Sequence, residues 1–198
     1  MTEEAVRTRD KTKTRRRLLA AARELFYEDG IRATGVGAVA ERAGVTKMTL
    51  YAHFYSKDDL VAAYLEDSDR RWREFLEEKL SGCGDSRDGL MAVCDAYREY
   101  FTEREMRGCA FVNCAAEFPD PDHPARRVIV RHKAGVRERL RNLAAEAGAE
   151  DSATLAERLF VVLEGAYVTS ALEGGRGVLD RSRAFFADLV EAAVRDRP

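Results

Sequence analysis

The sequence predicts an all-α fold of about nine helices, and three observations carry that prediction. Apolar residues recur at intervals of three and four along most of the chain, no stretch alternates apolar and polar residues as a half-buried strand does, and glycine or proline clusters break the pattern at helix-length intervals. With 198 residues, 45% of them hydrophobic and 34% charged, the chain has enough material for one large domain or a small one joined to a medium one.

Residues 1 to about 9 are polar, without a capping residue, and read as a mobile arm whose Arg7 and Arg9 lead into the first helix. That helix spans about Asp10 to Asp29. Leu18, Leu19, Ala22, Leu25 and Phe26 follow its period, Gly30 stops it, and Lys11, Lys13, Arg15, Arg16 and Arg17 crowd its first half. Next comes Thr34 to Leu60, two short helices hinged on a glycine. Val36, Val39, Ala40 and Ala43 mark the first, Gly44 falls where a tight turn needs positive φ, and Thr46 can cap the second. Leu50 and Phe54 point that second helix inward at i and i+4, which leaves Lys47, Met48, Thr49, Tyr51 and His53 on the other side. A hairpin of this form is a helix-turn-helix, whose second helix enters the DNA major groove.

Ser56 followed by Lys57, Asp58 and Asp59 caps a long helix that runs to about Leu80, with Leu60, Tyr64, Arg71, Trp72 and Phe75 toward the inside. A helix from about Ser86 to Glu105 has an aromatic face of Tyr97, Tyr100 and Phe101. A shorter one, Cys109 to Phe118, ends at prolines that cannot continue it. Asp122 or His123 then begins a helix that Gly148 ends, its inner stripe made of Val128, Ile129, Val136, Leu140, Leu143 and Ala147. Asp151 to Leu172 and Asp180 to Arg195 complete the set; Leu155, Leu159, Val162, Leu163, Ala166 and Ser170 face inward on the first, and Phe185, Phe186, Leu189, Val190 and Ala193 on the second.

Charge is divided along the chain. Residues 1–57 hold 12 Lys/Arg against 7 Asp/Glu, whereas 58–198 hold 21 against 28, so a basic head precedes an acidic body within a total of −2. We therefore expect a DNA-binding domain over 1–57 and a helical effector-binding and dimerisation domain over 58–198. The acidic body argues against a purely architectural DNA binder. No run of 18 apolar residues and no signal-peptide core is present, so the expected location is the cytoplasm with no membrane partner. Cys83, Cys94, Cys109 and Cys114 lack C-x-x-C spacing, and His53, His123 and His132 form no triad or metal-helix pattern, which disfavours a metal, a cofactor and enzymatic chemistry.

The run T-x-V-x-x-V-A-x-x-A-G-V-T-K-x-T-L-Y-x-H-F-x-S-K-x-x-L, Thr34 to Leu60, resembles the DNA-binding domain of the TetR (tetracycline repressor-like) family. Gly35, Gly37 and Met48 depart from the usual pattern; a glycine inside a helix costs roughly 1 kcal/mol. By chemistry and by place in the resemblance, Thr34, Tyr51 and Lys57 are expected on phosphates, with Lys13 or Arg15 adding charge. Thr46, Lys47, Met48, Thr49 and His53 are expected at base edges, Lys47 toward guanine and the methyls of Met48 and Thr49 toward thymine. His53 and Tyr51 have alternative roles in packing.

Specific reading by one hairpin normally needs two copies on a palindrome, so a homodimer on double-stranded operator DNA is expected. Its interface is placed at about 151–172 and 180–195, where small residues let partner helices approach; the resemblance implies the same surface. A small apolar or aromatic effector that releases the DNA would meet Trp72, Phe75, Tyr97, Phe101, Phe111 and Tyr167, oriented by Asn113, Glu117 and His123. Asn113 and Glu117, at i and i+4 in an apolar segment, need polar partners. Two alternatives stand beside this repressor reading: a redox-responsive regulator acting through Cys109 and Cys114, and an effector-free DNA-binding protein.

Overall fold

The computed structural model describes the backbone of residues 3–104, 107–175 and 177–194, and the side chains of these from residue 9 onward except 102–104. Its described residues form helices throughout, with no strand: α1 (Glu3–Asp29), α2 (Val36–Arg42), α3 (Lys47–Tyr51), α4 (Lys57–Leu80), α5 (Ser86–Arg104), α6 (Ala110–Glu117), α7 (Pro124–Glu146), α8 (Ser152–Glu173) and α9 (Gly177–Ala193). The all-α class with nine helices therefore holds among the described residues. Two compact units divide the chain: residues up to 68 with 110–129, and 69–109 with the residues from 130 on.

In the first unit the helix-turn-helix is built on α1. Leu18, Ala22, Leu25 and Phe26 of α1 are buried with Val39, Ala40, Leu50, Phe54, Leu60, Val61, Tyr64 and Leu65, and the Phe26 ring meets Tyr64 edge-on at 5.6 Å. Each fully buried leucine or phenylalanine contributes about 1.5–3 kcal/mol, so these side chains decide how α2 and α3 sit on α1. Helix α1 begins at Glu3 rather than Asp10, which corrects the expected arm: no Gly or Pro interrupts the run from there to Asp29. Arg7 lies in this helix with its side chain outside the described set. Gly35 is not an interior helix residue either. It is the N-cap of α2 in extended conformation, φ −80° and ψ 149°, so the expected penalty does not apply to it.

Several boundaries shift for identifiable reasons. Helix α5 is capped by Asp85, whose Oδ1 accepts from Asp88 N at 2.8 Å; Glu105, its expected end, lies outside the described residues. Helix α7 starts at Pro124, a favoured first position, while His123 Nδ1 accepts from Ala125 N at 3.2 Å. Asp151 caps α8 by accepting from Thr154 N at 2.9 Å. Helix α9 begins at Gly177, ahead of Asp180, and the buried Ser170 hydroxyl accepts from Leu179 N at 3.3 Å. Its expected last residue, Arg195, is outside the described set.

The second unit centres on an aromatic and aliphatic core. Trp72, Leu76, Leu90, Val93, Tyr97, Phe101, Val136, Leu140, Leu159, Leu163, Tyr167, Leu179, Phe186 and Val190 belong to one buried cluster. Phe185 was expected on the inner stripe of α9 but is 56% exposed, because its neighbour Phe186 takes the inward position and is fully buried. On α4 the inward residue is Trp72 rather than Arg71, and Leu76 is more deeply buried than Phe75.

Candidate nucleic-acid interface

The turn between α2 and α3 follows from one glycine and one threonine. Gly44 adopts φ +64°, in the left-handed region that side chains avoid. Thr46 then takes the extended N-cap conformation; its Oγ1 accepts from Thr49 N at 3.1 Å and lies 3.0 Å from Thr49 Oγ1. Leu50 is fully buried, whereas Thr46, Lys47, Met48 and Tyr51 are exposed, Met48 at 81%. One face of α3 thus anchors it and the other is presented to solvent.

Arg17, which the sequence marked only as one of several basic residues, holds this turn from α1. Its guanidinium donates to the carbonyl oxygens of Ala43 and Gly44, the latter at 3.3 Å, and a Cβ at Gly44 would stand 2.7 Å from its Nη2. Arg42 of α2 pairs with Glu24 of α1. Gly37 has a related role: a Cβ there would come within 2.7 Å of Lys47 Cε, so its bare backbone leaves room for Lys47 to lie across α2.

Lys13 and Arg15 are exposed on α1, and the Arg15 guanidinium lies over the Phe54 ring at 5.2 Å. His53 is half-buried; burial, then Lys11 and Arg15, push its pKa below 6.5, so the ring is neutral near pH 7 and offers both a donor and an acceptor. Thr34 corrects an expectation. It is 4% exposed and donates from Oγ1 to Gly30 O at 2.8 Å and Leu25 O at 3.3 Å, so its hydroxyl braces the end of α1 instead of facing a phosphate.

The loop after α1 is also held from α6 and α4. Glu117 accepts from Ile31 N at 2.9 Å and from Arg32 N at 2.6 Å, and Lys57 donates to Arg32 O at 3.3 Å. The Arg32 guanidinium lies over the Phe118 ring at 5.4 Å. His123 stacks on Phe118 with ring centroids 4.3 Å apart, its Nε2 3.5 Å from Asp58 Oδ1. Glu117 and His123 were expected to orient an effector; Glu117 is instead committed to this local network, which supplies the partners that a carboxylate on an apolar helix needs, while the buried His123 Nε2 has no hydrogen-bond partner among the described residues. Nothing in the sequence pairs Glu117 with residues 31 and 32, since contacts at that separation have no periodicity to reveal them.

Five of the expected effector residues meet in the second unit. Trp72 packs edge-on against Tyr97 at 4.8 Å, Tyr97 against Tyr167 at 5.6 Å, and Phe101 against Tyr167 at 5.2 Å, with Phe75 beside Trp72 at 6.3 Å. Phe111 and Asn113 belong to the first unit. Among the described residues no His, Cys, Asp or Glu group of three or more is arranged for a metal ion, and no helix is long and apolar enough to cross a membrane.

A short capped helix with a polar outer face, locked behind a left-handed glycine turn and set on a basic first helix, defines a helix-turn-helix DNA-binding protein. Residues 18–64 match the family model for bacterial regulatory proteins of the tetR family, and residues 86–186 match that for the tetracyclin repressor-like C-terminal domain. The chain belongs to the TetR family and is a transcriptional regulator, in a family of regulators rather than enzymes. The HTH-type transcriptional activator FasR of Mycolicibacterium smegmatis is 36% identical over 94 residues, 48% of this chain and 42% of that protein. The HTH-type transcriptional regulator UidR of Escherichia coli K12 is 40% identical over 65 residues, 32% of this chain and 33% of that protein. The chain thus matches less than half the length of either relative. The crystal structure of a TetR-family transcriptional regulator from Streptomyces coelicolor superposes with a TM-score of 0.87 at 29% identity, over 93% of this chain and 97% of that one.

Proposed function

We propose that the protein is a homodimeric repressor that places α3 of each subunit in successive major grooves of a palindromic operator and is released by a small apolar or aromatic effector. The observation that carries the DNA reading is the division of α3 into a buried Leu50 and an exposed row of Lys47, Met48 and Tyr51. Lys47 is assigned to guanine O6/N7, the methyls of Met48 and Thr49 to thymine, Thr46 and His53 to neighbouring base edges, and Tyr51, Lys57, Lys13 and Arg15 to phosphates. The repressor sign draws on KstR2 of Rhodococcus jostii, named a transcriptional repressor and 38% identical over 90 residues.

Dimerisation is supported by an apolar row on α8 and α9: Val161, Val168, Leu172 and Phe185 are exposed, Leu172 at 82%, and Gly165 between them has nothing within 4 Å of where a Cβ would stand. Two heads roughly 34–36 Å apart then meet half-sites one helical turn apart. The effector reading rests on the aromatic group of Trp72, Phe75, Tyr97, Phe101 and Tyr167. Helix α4 carries Trp72 and begins at Lys57, and a coupling of about 1–3 kcal/mol, or 5–150-fold in affinity, is sufficient for a switch.

Selection of bound fragments from a random DNA pool tests the reading. The expected result is an enriched palindrome on which Lys47→Ala loses discrimination at one base pair of each half-site, while Tyr51→Phe weakens binding evenly across sequences. A pool without an enriched sequence refutes it.

A further inference from the structure

The second unit contains a connected group of reactive side chains away from the helix-turn-helix. Lys133 of α7, with its side chain 14% exposed, donates from Nζ to Glu164 Oε1 of α8 at 2.8 Å, stands 2.7 Å from Oε2, and donates to Cys109 Sγ at 3.5 Å. Tyr97 donates from its hydroxyl to Glu164 Oε1 at 3.4 Å. Gly108 makes this meeting possible. Its φ of +89° lies in the left-handed region that side chains avoid, and a Cβ there would stand a tight 3.0 Å from Ala171 Cβ of α8.

An ammonium at hydrogen-bond distance from sulfur favours the thiolate, which is the nucleophilic form. Burial opposes the charge on Lys133, but the Cys109 sulfur and the Glu164 carboxylate outweigh it and raise its pKa, so the ammonium persists. The other three cysteines are held as thiols. Burial pushes Cys94 up to about 11 and Cys114 up to about 12, and burial with Asp88 and Asp85 raises Cys83. Cys114, the expected redox companion of Cys109, is thus ill suited to that role, and it belongs to the other unit.

A second observation in the same unit points to a guest. Trp72 is 6% exposed, and its indole Nε1 has no hydrogen-bond partner among the described residues. The indole packs on the ring of Tyr97, the residue whose hydroxyl reaches Glu164 and through it Lys133. Buried donors in native proteins are nearly always paired, so this N–H is available to an acceptor on a molecule bound beside the aromatic group.

We propose that Cys109 is a covalent modification site for apolar α,β-unsaturated carbonyl compounds, with Lys133 activating the sulfur and Trp72 and Tyr97 receiving the body of the molecule. Ionisation of the thiol releases its proton to solvent. The thiolate attacks the β-carbon, a C–S bond forms, and the alkene π pair moves to the α-carbon and carbonyl as an enolate. The Lys133 ammonium delivers a proton to the α-carbon and regains one from solvent, so the net change is addition of S–H across the double bond, with no oxidant. The adduct lies one residue before Ala110, the start of α6, whose far end carries the Glu117 that holds Ile31 and Arg32. This inference deepens the effector reading and rests on it for the aromatic wall, but adduct formation is measured without DNA.

The test treats the full chain with 2-cyclohexen-1-one at pH 7 and follows each cysteine by peptide mass mapping. Cys109 is expected to react about tenfold faster than the half-buried Cys83, because Lys133 donates to its sulfur. Lys133→Gln slows Cys109 by a similar factor and leaves Cys83 unchanged, while Lys133→Arg keeps most of the rate. Trp72→Phe raises the concentration of 2-cyclohexen-1-one that half-saturates the Cys109 rate without altering its reaction with iodoacetamide. Equal rates at Cys109 and Cys83 in the parent protein overturn the proposal, and so does an unchanged Cys109 rate in a folded Lys133→Gln variant. If that variant unfolds, seen as labelling of Cys94 and Cys114, the parent ratio decides. Ligands that release DNA without labelling Cys109 leave the effector reading standing and refute the covalent site alone.

Discussion

Replacing Glu117 with alanine removes the acceptor of two backbone amides in the loop that joins α1 to α2. The carboxylate oxygens lie 2.9 Å from Ile31 N and 2.6 Å from Arg32 N. Hydrogen bonds to a charged group contribute about 1.5–3 kcal/mol each. Arg32 is exposed and its amide regains water in the variant, whereas Ile31 is 2% exposed, so most of the loss falls on Ile31. A net loss of about 2 kcal/mol for local opening follows, a factor of about 30 in the open population. Amide hydrogen exchange at Ile31, read residue by residue, measures it. Glu117→Ala is expected to speed exchange there by about 30-fold while amides in α8 keep their protection, and Glu117→Gln, which retains one acceptor, to fall between. Exchange at Ile31 within about twofold of the parent in Glu117→Ala refutes the clamp.

Gly37→Ala places a methyl 2.7 Å from Lys47 Cε, so Lys47 must swing away from α2; we expect an altered base preference at one operator position, read by repeating the random-pool selection, with stability unchanged or raised by up to about 1 kcal/mol. His132 is 6% exposed and its Nδ1 lies 2.9 Å from Asp69 Oδ1; burial first, then Lys133, lower its pKa against the opposing pull of Asp69 and Glu164. Burial alone would raise Asp69, but the hydrogen bond from His132 and the Arg73 guanidinium hold it below 3.8. Both folded groups bind protons less readily than the unfolded chain, so stability is full above about pH 6.5, falls first as His132 is forced to charge, and falls again below 3.8. Urea midpoints between pH 7.5 and 5.5 are expected to decline in the parent and to flatten in His132→Gln. Phe185→Glu puts a charge at a side chain 56% exposed on α9 and is expected to yield monomers by sedimentation while helix content by circular dichroism is kept.

The helix-turn-helix was legible because its determinants are local. A glycine at positive φ, a threonine cap that bonds the amide three residues on, and apolar residues four apart all act within one or two turns of the chain, and Gly44, Thr46 and Leu50 do what their spacing says. Thr34 and Glu117 were misread for the opposite reason. Their partners are backbone groups at Leu25 and Gly30 in one case and at Ile31 and Arg32 in the other, and a side chain gives no sign in the sequence of whether its polar atoms meet protein, water or ligand. Phe185 and Phe186 are adjacent, so the period alone did not decide which faces inward; packing against the second unit's core did.

What the sequence by itself determined is the family, the helical class and the exposed face of α3, since periodicity and capping are written in neighbouring residues. Only the tertiary structure decided that Arg17 secures the turn, that Glu117 ties α6 to the loop before α2, and that Lys133 stands between Glu164 and the Cys109 sulfur. Those contacts join residues between 24 and 86 positions apart. Their existence depends on how whole helices pack, and packing is set by the summed burial of many apolar side chains rather than by any short stretch of chain.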